Sequence, residues 1–205
     1  GISNAYGAFM ARYAGALGNS LTVSVIDAGS TTTQFNSWNI ALYNTAGSNF
    51  ANVALAGFFN GLPGTSYNTQ QVGGANDQIH IAVVDTGGLI SGTKGTVLET
   101  FPYLSKASDS VDSTGQSNYY KNAIFNNSRY VYAVDPVNYS STNATWGKTS
   151  ANTAFTTLSG AYTFALAGGT DSAVTDGDVV NAMNNFSDSA QTAVSLIVTG
   201  PYTSS

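Results

Sequence analysis

His80 is the only histidine of the chain and the first residue to consider for acid–base or metal chemistry. It stands in the alternating stretch "QIHIAVVD", so Ile79 and Ile81 share one face of a predicted strand and His80 points to the other. A catalytic histidine needs an orienting partner, and a metal needs several ligands. The spacing allows a triad with one of the serines, but no motif supports it. The pattern favours a hydrogen-bonded or exposed polar strand residue.

Glu99 is the only glutamate among the 11 acidic residues, and it lies in a second apolar stretch, "TVLETF". A glycosidase would need this carboxylate opposite one of the aspartates, a pairing that chance alone supplies, so we interpret Glu99 as a solvent-facing strand residue. Asp109, Ser110 and Asp112 have the short oxygen-rich spacing of a calcium loop, but the glycine and glutamate that such a loop requires are not in place. The sequence predicts no enzyme, no catalytic residue, no cofactor and no metal site.

Glycine-rich stretches and glycosylation sequons carry no specific function either. "DTGGLISGTKGT" and "LAGGTD" match neither the phosphate-binding P-loop nor a complete dinucleotide-binding pattern, and tight turns explain their glycines. In a chain rich in Asn, Ser and Thr, N-x-[ST] triplets are expected by accident. They begin at Asn126, Asn138, Asn143 and Asn185.

The composition predicts a surface that is polar but almost uncharged. Charged residues make up 8% of the chain, against roughly 25% in average proteins. Hydroxyls and amides are less costly to desolvate than charged groups when another protein covers them. The composition therefore indicates a surface suited to protein–protein contact.

Charge, cysteine content and hydropathy exclude several classes of function. A formal net charge of -5 argues against nucleic-acid binding, which depends on clustered cations. The absence of cysteine excludes disulfides, thiolate nucleophiles and cysteine-ligated zinc. Apolar runs such as "IAVV" are far shorter than the ~20 residues of a membrane span, and no secretory leader pattern opens the chain. We expect a piece of a longer polypeptide that binds neither nucleic acid nor membrane.

The order of predicted elements indicates an α+β fold, with a mixed β-sheet, a few short helices, and one main domain plus an insertion. Residues 1–27 are predicted to form a short helix ending near Gly15 and Gly18, followed by the half-buried strand "LTVSVID". Residues 28–77 show scattered aromatic residues without a sustained period. We predict that they form a loop-rich insertion with at most a helical turn or two in "FANVALAGFFNG".

Residues 78–205 carry the clearest pattern and are predicted to form the core domain. The last helix has the strongest start signal, because Thr175 is a natural N-cap and Asp178 completes a capping box. The predicted elements are strands at 78–85 and 96–101 (the latter closed by Pro102), a helix at 117–128, strands at 129–135 and 161–171, a helix at 175–188 and a strand at 193–201.

Three blocks of the sequence resemble the tail sheath proteins of contractile-tailed bacteriophages. "ARYAGALGNSLTVSVID" is similar to their Tyr-x-Gly-x-x-Gly-Asn motif and the strand after it, and residues 99–134 are similar to their succession of strand, variable loop, helix and strand. "LAGGTDSAVTDGDVVNAMNNFSD" with "AVSLIVTGP" resembles their Gly-Gly turn, capped helix and core strand. The match follows the chain order, except that residues 28–71 match poorly. In the first block it is carried by Tyr13, Gly15, Gly18 and Asn19.

The resemblance implies a structural virion protein without catalytic residues. Sheath subunits stack as six-membered rings around the tail tube, and the array shortens to drive the tube through the host envelope. The implied partners are other sheath subunits, with the tail tube and baseplate contacted through a C-terminal domain that finds no counterpart here. The implied location is the phage tail, assembled in the host cytoplasm, and this middle portion of a subunit is expected to be monomeric when isolated.

Contraction needs rigid subunits that exchange contacts without refolding. We expect the polar loops at 28–71 and 138–150 to lie on the outside of a sheath or at subunit borders. The alternative function is a carbohydrate-binding adhesin or tail-fibre module that uses exposed aromatic residues such as Trp38 and Trp146. Such modules show short strands throughout, whereas this chain has a capped helix between strands.

Overall fold

The structure, a computed structural model, describes residues 7–137 and 145–186. The chain divides into two units, residues 1–170 and residues 171–205. The strands described are β1 (Phe9–Ala11), β2 (Leu21–Asp27), β3 (Asn39–Tyr43), β4 (Asn49–Ala54), β5 (Gln78–Asp85), β6 (Thr96–Ser105), β7 (Val131–Ala133) and β8 (Tyr162–Ala165). The helices described are α1 (Thr32–Asn36), α2 (Tyr67–Gln71), α3 (Tyr120–Asn127) and α4 (Asp176–Asn184), with 3₁₀ turns at Ala16–Ser20 and Ala56–Phe58.

Antiparallel pairing dominates the sheets, and the α+β class predicted from the sequence is confirmed. Four strands form the main sheet in the order β6–β5–β2–β8, while β1 pairs with β7 and β3 pairs with β4. All these strand pairs are antiparallel. The sequence predicted a mixed sheet. Among the described residues, the parallel pairings are the isolated bridges Ala75–Ala154 and Ser105–Tyr119.

Strand β2 is buried on both faces, so the prediction of a half-buried strand was wrong. Its hydroxyl side chains lie inside because they find hydrogen-bond partners there. Ser24 accepts a hydrogen bond from Trp38 Nε1 (2.8 Å), and the hydroxyls of Thr22 and Thr86 lie 2.8 Å apart. A buried polar group that is hydrogen-bonded avoids most of its desolvation cost, so an alternating pattern need not mean an exposed face.

The first core lies between one face of the main sheet and α3. Ile79 and Ile81 of β5 are completely buried there, and so are Tyr120 and Ile124 of α3. Burying an aliphatic side chain of this size stabilises a fold by about 1.5–3 kcal/mol, so these contacts hold α3 on the sheet. Phe125, one position after Ile124, lies on the outer side of α3 and is 63% exposed.

The second core covers the opposite face of the sheet, and residues 28–77 supply most of it. Trp38 precedes β3, Leu55 follows β4 and Phe59 follows a 3₁₀ turn, and all three are buried. The prediction that this region lacks regular structure was wrong, because β3 and β4 pair as a hairpin that packs on the sheet. The domain boundaries at residues 27 and 77 stay predictions.

Residues 9–20 form β1 and a 3₁₀ turn where the sequence predicted a helix. β1 pairs with β7, with Met10 opposite Tyr132. Pairing with a distant strand overrides the helical spacing, since it satisfies backbone groups that a helix would otherwise satisfy locally. The backbone of Gly15 has a φ of 104°, a conformation that favours glycine and is incompatible with an α-helix.

Strand β6 continues to Ser105, past its predicted end at Phe101. Because β6 is at the edge of the sheet, Pro102 can lack an N–H without breaking an internal ladder. Its register against β5 shifts nearby, and Tyr103 adopts a left-handed φ of 51°. Such a conformation costs free energy for a non-glycine residue, so the contacts of Tyr103 must compensate for it.

Helix α4 begins where the sequence predicts. The N–H of Asp178 donates to Thr175 Oγ1 (3.3 Å), and the N–H of Thr175 donates to Asp178 Oδ2 (2.9 Å), which makes a reciprocal capping box. No residue of α4 is buried. The strand predicted at 193–201 lies outside the described residues.

Candidate interaction surface

His80 is buried, and both of its ring nitrogens are hydrogen-bonded. Nδ1 accepts the N–H of Tyr103 (2.9 Å), so Nε2 carries the proton and donates it to the carbonyl of Gly61 (2.8 Å). The ring stacks on Phe59 with 4.5 Å between centroids. Burial lowers the pKa of His80 and favours the neutral ring. His80 therefore joins β5 to the second core and to the strained residue of β6.

Glu99 is half-buried, whereas the sequence predicted a solvent-facing residue. Its carboxylate accepts hydrogen bonds from Ser128 Oγ and from the N–H of Arg129, each at 2.7 Å. These bonds attach the segment after α3 to the edge strand β6. Glu99 thus has a structural role and is not paired with a second carboxylate among these contacts.

The carboxylates of the candidate calcium loop bind groups of the protein itself. Asp109 accepts hydrogen bonds from the N–H and the hydroxyl of Ser150 (2.8 and 2.9 Å). Asp112 Oδ1 accepts from the N–H groups of Thr114 and Gln116 (2.8 and 3.0 Å). In residues 7–137 and 145–186, no group of three or more His, Asp or Glu side chains could hold a metal ion.

Lys106 and Asp27 form a fully buried ion pair that the sequence did not predict. Lys106 Nζ lies 2.6 Å from Asp27 Oδ2 and also donates to the carbonyls of Asn76 (2.9 Å) and Thr156 (3.1 Å). The same Asp27 oxygen accepts the N–H of Leu158 (2.9 Å). Burial lowers the pKa of Lys106, although Asp27 opposes the effect. Each ammonium proton has an acceptor, so the pair ties four chain segments together.

A groove of about 690 Å³ runs between β1 and β8. Its floor includes Phe9 and Phe164, whose ring centroids lie 5.7 Å apart. Much of the remaining lining consists of glycine and alanine, which leave the backbone accessible. These small residues are Gly7, Ala8, Ala11, Ala14, Gly15, Gly18, Ala165, Ala167, Gly168 and Gly169.

The long walls of this groove are strand edges with unpaired backbone groups. Even-numbered residues of β1 bond to β7, since the N–H of Arg12 donates to the carbonyl of Tyr130 (2.8 Å). Even-numbered residues of β8 bond to β2, since the N–H of Leu166 donates to the carbonyl of Leu21 (2.9 Å). Antiparallel ladders alternate, so odd-numbered residues point away from these partners, and no partner for their backbone groups lies in the described part of the chain. These odd-numbered residues are Phe9, Ala11 and Ala165, which line the groove, and Thr163, which does not.

The segments around Asn19 and Gly169 meet at one end of the groove. Asn19 donates from Nδ2 to the carbonyl of Gly169 (2.8 Å) and accepts its N–H at Oδ1 (2.9 Å). A Cβ on Gly169 would lie 2.1 Å from the carbonyl oxygen of Gly15, and one on Gly18 would lie 2.7 Å from the Cβ of Ala11. The glycines therefore permit a close approach of two backbone segments, a role that the sequence did not predict, since it assigned them to tight turns and to a helix end.

An exposed aromatic and cationic cluster adjoins the groove. The guanidinium carbon of Arg12 lies 4.1 Å from the ring centroid of Tyr132 and 5.8 Å from that of Phe125. Arg12 also donates to the carbonyls of Ile124 (3.2 Å) and Phe125 at the end of α3. Met10, on the same surface, is 50% exposed. Aromatic, methionine and arginine side chains are enriched in protein interfaces, so this cluster extends the groove into a surface suited to a protein partner.

Sequence reasoning identified the motif residues of the groove but not the groove itself. Its walls come from residues 7–19 and 164–169, and no local pattern shows that such distant segments are adjacent. A signal was available in β8, because "AYTFALAGG" has a short alternating stretch that ends at glycines, as edge strands often do.

The remaining sequence features bear less on a site. Asn126 lies on α3 and Asn185 follows α4, while Asn138 and Asn143 lie outside the described residues. No helix within the described ranges has the length and apolar character needed to cross a membrane. No known protein-family model matches the chain, and no curated protein is significantly similar to it.

Proposed function

We propose that this chain is part of a contractile tail sheath subunit of the bacteriophage type. It polymerises with copies of itself as stacked hexameric rings around a tail tube, and contraction of the array drives the tube through the host envelope. The tail tube and baseplate contact other parts of the subunit. The protein acts in the virion, after assembly in the host cytoplasm.

The groove between β1 and β8 is the observation that carries this proposal. Two strand edges border it whose outward N–H and C=O groups have no partner among the described residues, and an exposed sheet edge is a template for pairing with another chain. A monomeric protein usually blunts such edges, as Pro102 and the adjacent register shift do on β6. Within residues 7–137 and 145–186, no segment covers the outer edges of β1 and β8, which supports a subunit that receives an extended segment of a neighbouring copy.

The polar surface supports the same proposal through the energetics of exchange. Contraction replaces one set of contacts between rigid subunits by another. With 8% charged residues, little charge has to be desolvated each time two faces meet, so the two arrangements can differ by a small free energy. The buried ion pair and the two cores keep the subunit itself rigid.

Electron microscopy of the particle that contains this chain tests the proposal directly. We expect a helical array of hexameric rings around a tube, in an extended and a contracted form. Density at fibre tips or on a cell surface, without a helical repeat, would reject the sheath function. Protease protection of residues 28–71 in the particle compared with the free chain would further locate that region at a subunit border.

Substituting Ala165→Pro should block assembly while leaving the fold intact. Proline removes the N–H of Ala165, which faces the groove, and its ring fills the space that a paired strand would occupy. The bonds of β8 to β2 use the neighbouring residues, so we expect a change of less than about 1 kcal/mol in the free energy of unfolding. Co-sedimentation with wild-type sheath should fall to background.

Ala165→Val is the matched control, because it adds comparable volume and keeps the N–H. Its incorporation into sheath should remain close to that of the wild type. Equal incorporation of the proline and wild-type subunits, with both variants folded by thermal unfolding, would show that this edge does not pair during assembly.

A carbohydrate-binding adhesin is the second candidate, and one feature favours it. A polar recess of about 520 Å³ contains Tyr43, which is 57% exposed, beside Asn39 and Lys94. The two tryptophans that the sequence suggested for carbohydrate binding are poorly placed for it, because Trp38 is buried and Trp146 is half-buried against the first core. Binding on a glycan array that Tyr43→Ala abolishes would favour the adhesin, and an array without binding would exclude it for the sugars present.

A further inference from the structure

Asn60–Gly61 is the one Asn–Gly pair of the chain, and the fold displays it on its surface. Phe59 before it is buried, and Asn60 is exposed in the bend that follows the 3₁₀ turn. An asparagine followed by glycine is chemically reactive, since glycine has no Cβ to hinder attack of its backbone nitrogen on the asparagine side chain. The pair therefore combines a reactive sequence with access to water.

The hydrogen bonding around this pair leaves the reacting groups available. Among the described residues, neither the side-chain amide of Asn60 nor the N–H of Gly61 has a hydrogen-bond partner. Gly61 has a φ of 156°, and a Cβ at this position would have only the hydroxyl of Tyr103 within 4 Å, at 3.5 Å. The N–H of Gly61 thus donates to no acceptor among the described residues, and there is open space beside its Cα.

We infer that Asn60 is a site of spontaneous deamidation. The nitrogen of Gly61 loses its proton to solvent base and attacks Cγ of Asn60, a C–N bond forms, and the side-chain nitrogen leaves as ammonia. Water then opens the resulting succinimide at one of its two carbonyls. Opening at one carbonyl gives aspartate, and opening at the other gives isoaspartate, in which the main chain runs through the former side chain.

The two products differ in effect because of what surrounds the pair. The ring of Phe59 stacks on His80, and the carbonyl of Gly61 accepts the proton of His80 Nε2. Isoaspartate adds one methylene to the main chain between Phe59 and Gly61. The stacking of Phe59 on His80 and the hydrogen bond from His80 to Gly61 then cannot both be maintained. Aspartate leaves the main chain unchanged and adds only an exposed charge. The isoaspartate form should therefore loosen the second core, and the aspartate form should not.

Incubating the full chain in mildly alkaline buffer, followed by peptide mass spectrometry, tests the inference. We expect conversion at Asn60 to exceed that at every other asparagine, with isoaspartate detected by enzymatic methyl labelling. The ammonia released should equal the sum of succinimide, aspartate and isoaspartate formed. Asn60→Gln is the control, because glutamine forms the cyclic intermediate much more slowly. An aged chain without conversion at Asn60, or with equal conversion elsewhere, would overturn the site.

Unfolding measurements test the consequence separately. The isoaspartate fraction should melt about 2–4 °C below the fresh chain, the shift expected from losing one buried hydrogen bond in a chain of this length. Freshly purified Asn60→Asp carries the charge without the added methylene and should melt with the wild type. Identical melting of the isoaspartate fraction would overturn the link to His80. Neither result depends on whether the chain assembles as a sheath.

Discussion

Replacing Lys106 with Met should lower the free energy of unfolding by about 3–5 kcal/mol, the usual result of removing one partner of a buried ion pair. Methionine has a similar length but no positive charge. It leaves Asp27 and the carbonyls of Asn76 and Thr156 without the donor that Nζ provides. Because Asp27 is completely buried, water cannot replace the lost donor unless the fold opens.

Urea unfolding of three variants separates the ion pair from other effects of the substitution. Lys148→Met removes an exposed lysine and should change the free energy of unfolding by no more than about 0.5 kcal/mol. The double variant with Lys106→Met and Asp27→Asn removes both charges and should be more stable than the Lys106→Met variant alone. A loss below about 1 kcal/mol for Lys106→Met would show that the pair is not a main stabilising contact.

Elements with local signals were predicted well from the sequence. β5 follows its alternating pattern from Gln78 to Asp85, and α4 begins at its capping box. α3 (Tyr120–Asn127) lies within its predicted range of 117–128. Each of these patterns involves residues no more than three to four positions apart, so it is visible in the sequence without knowledge of the fold.

Elements that depend on distant partners were not predictable in the same way. β1 is a strand only because β7 pairs with it, and the helical spacing of its residues pointed elsewhere. The partner of Lys106 lies 79 residues away in sequence, and nothing near either residue marks them as a pair. The hairpin of β3 and β4 gave only a weak local signal, because β3 alternates over just five residues and β4 has no buried residue.

For the candidate groove too, the sequence showed the motif residues but not how their segments are arranged in space. Asn19 and Gly169 both belong to sequence blocks on which the resemblance to sheath proteins was based. In the structure they contact each other directly, which explains why both blocks contain glycines. A close approach of two backbones restricts residue types at both sites at once. The resemblance named these residues by type alone, and their contact became visible only in the structure. The same holds for the edges of β1 and β8, whose outward groups have no partner among the described residues.

Lowering the pH below about 6.5 should destabilise the protein through His80. The folded pKa of His80 is lowered from its usual 6.5 because the ring is buried. Between 6.5 and the folded pKa, the unfolded chain takes up a proton that the folded chain excludes, so stability is complete above 6.5 and declines as the pH falls. Each unit by which folding lowers this pKa corresponds to about 1.4 kcal/mol.

The geometry gives a second reason for this acid sensitivity. A proton on Nδ1 would face the N–H of Tyr103, which now donates to that nitrogen (2.9 Å), and would leave this N–H unsatisfied beside a buried cation. Phe35 and Phe59 flank the ring, and the ring of Tyr103 lies edge-on to it. Protonation should therefore release the second core from the sheet.

Urea unfolding over a pH series measures this effect cleanly, because His80 is the only histidine and unperturbed carboxylates titrate below about pH 5. His80→Gln should be less stable near neutral pH but lose the dependence between about pH 5 and 7. The imidazole resonances of the folded wild type should titrate below 6.5. A wild-type stability that stays flat across this range, or a variant that keeps the slope, would mean that His80 does not control the attachment of the second core.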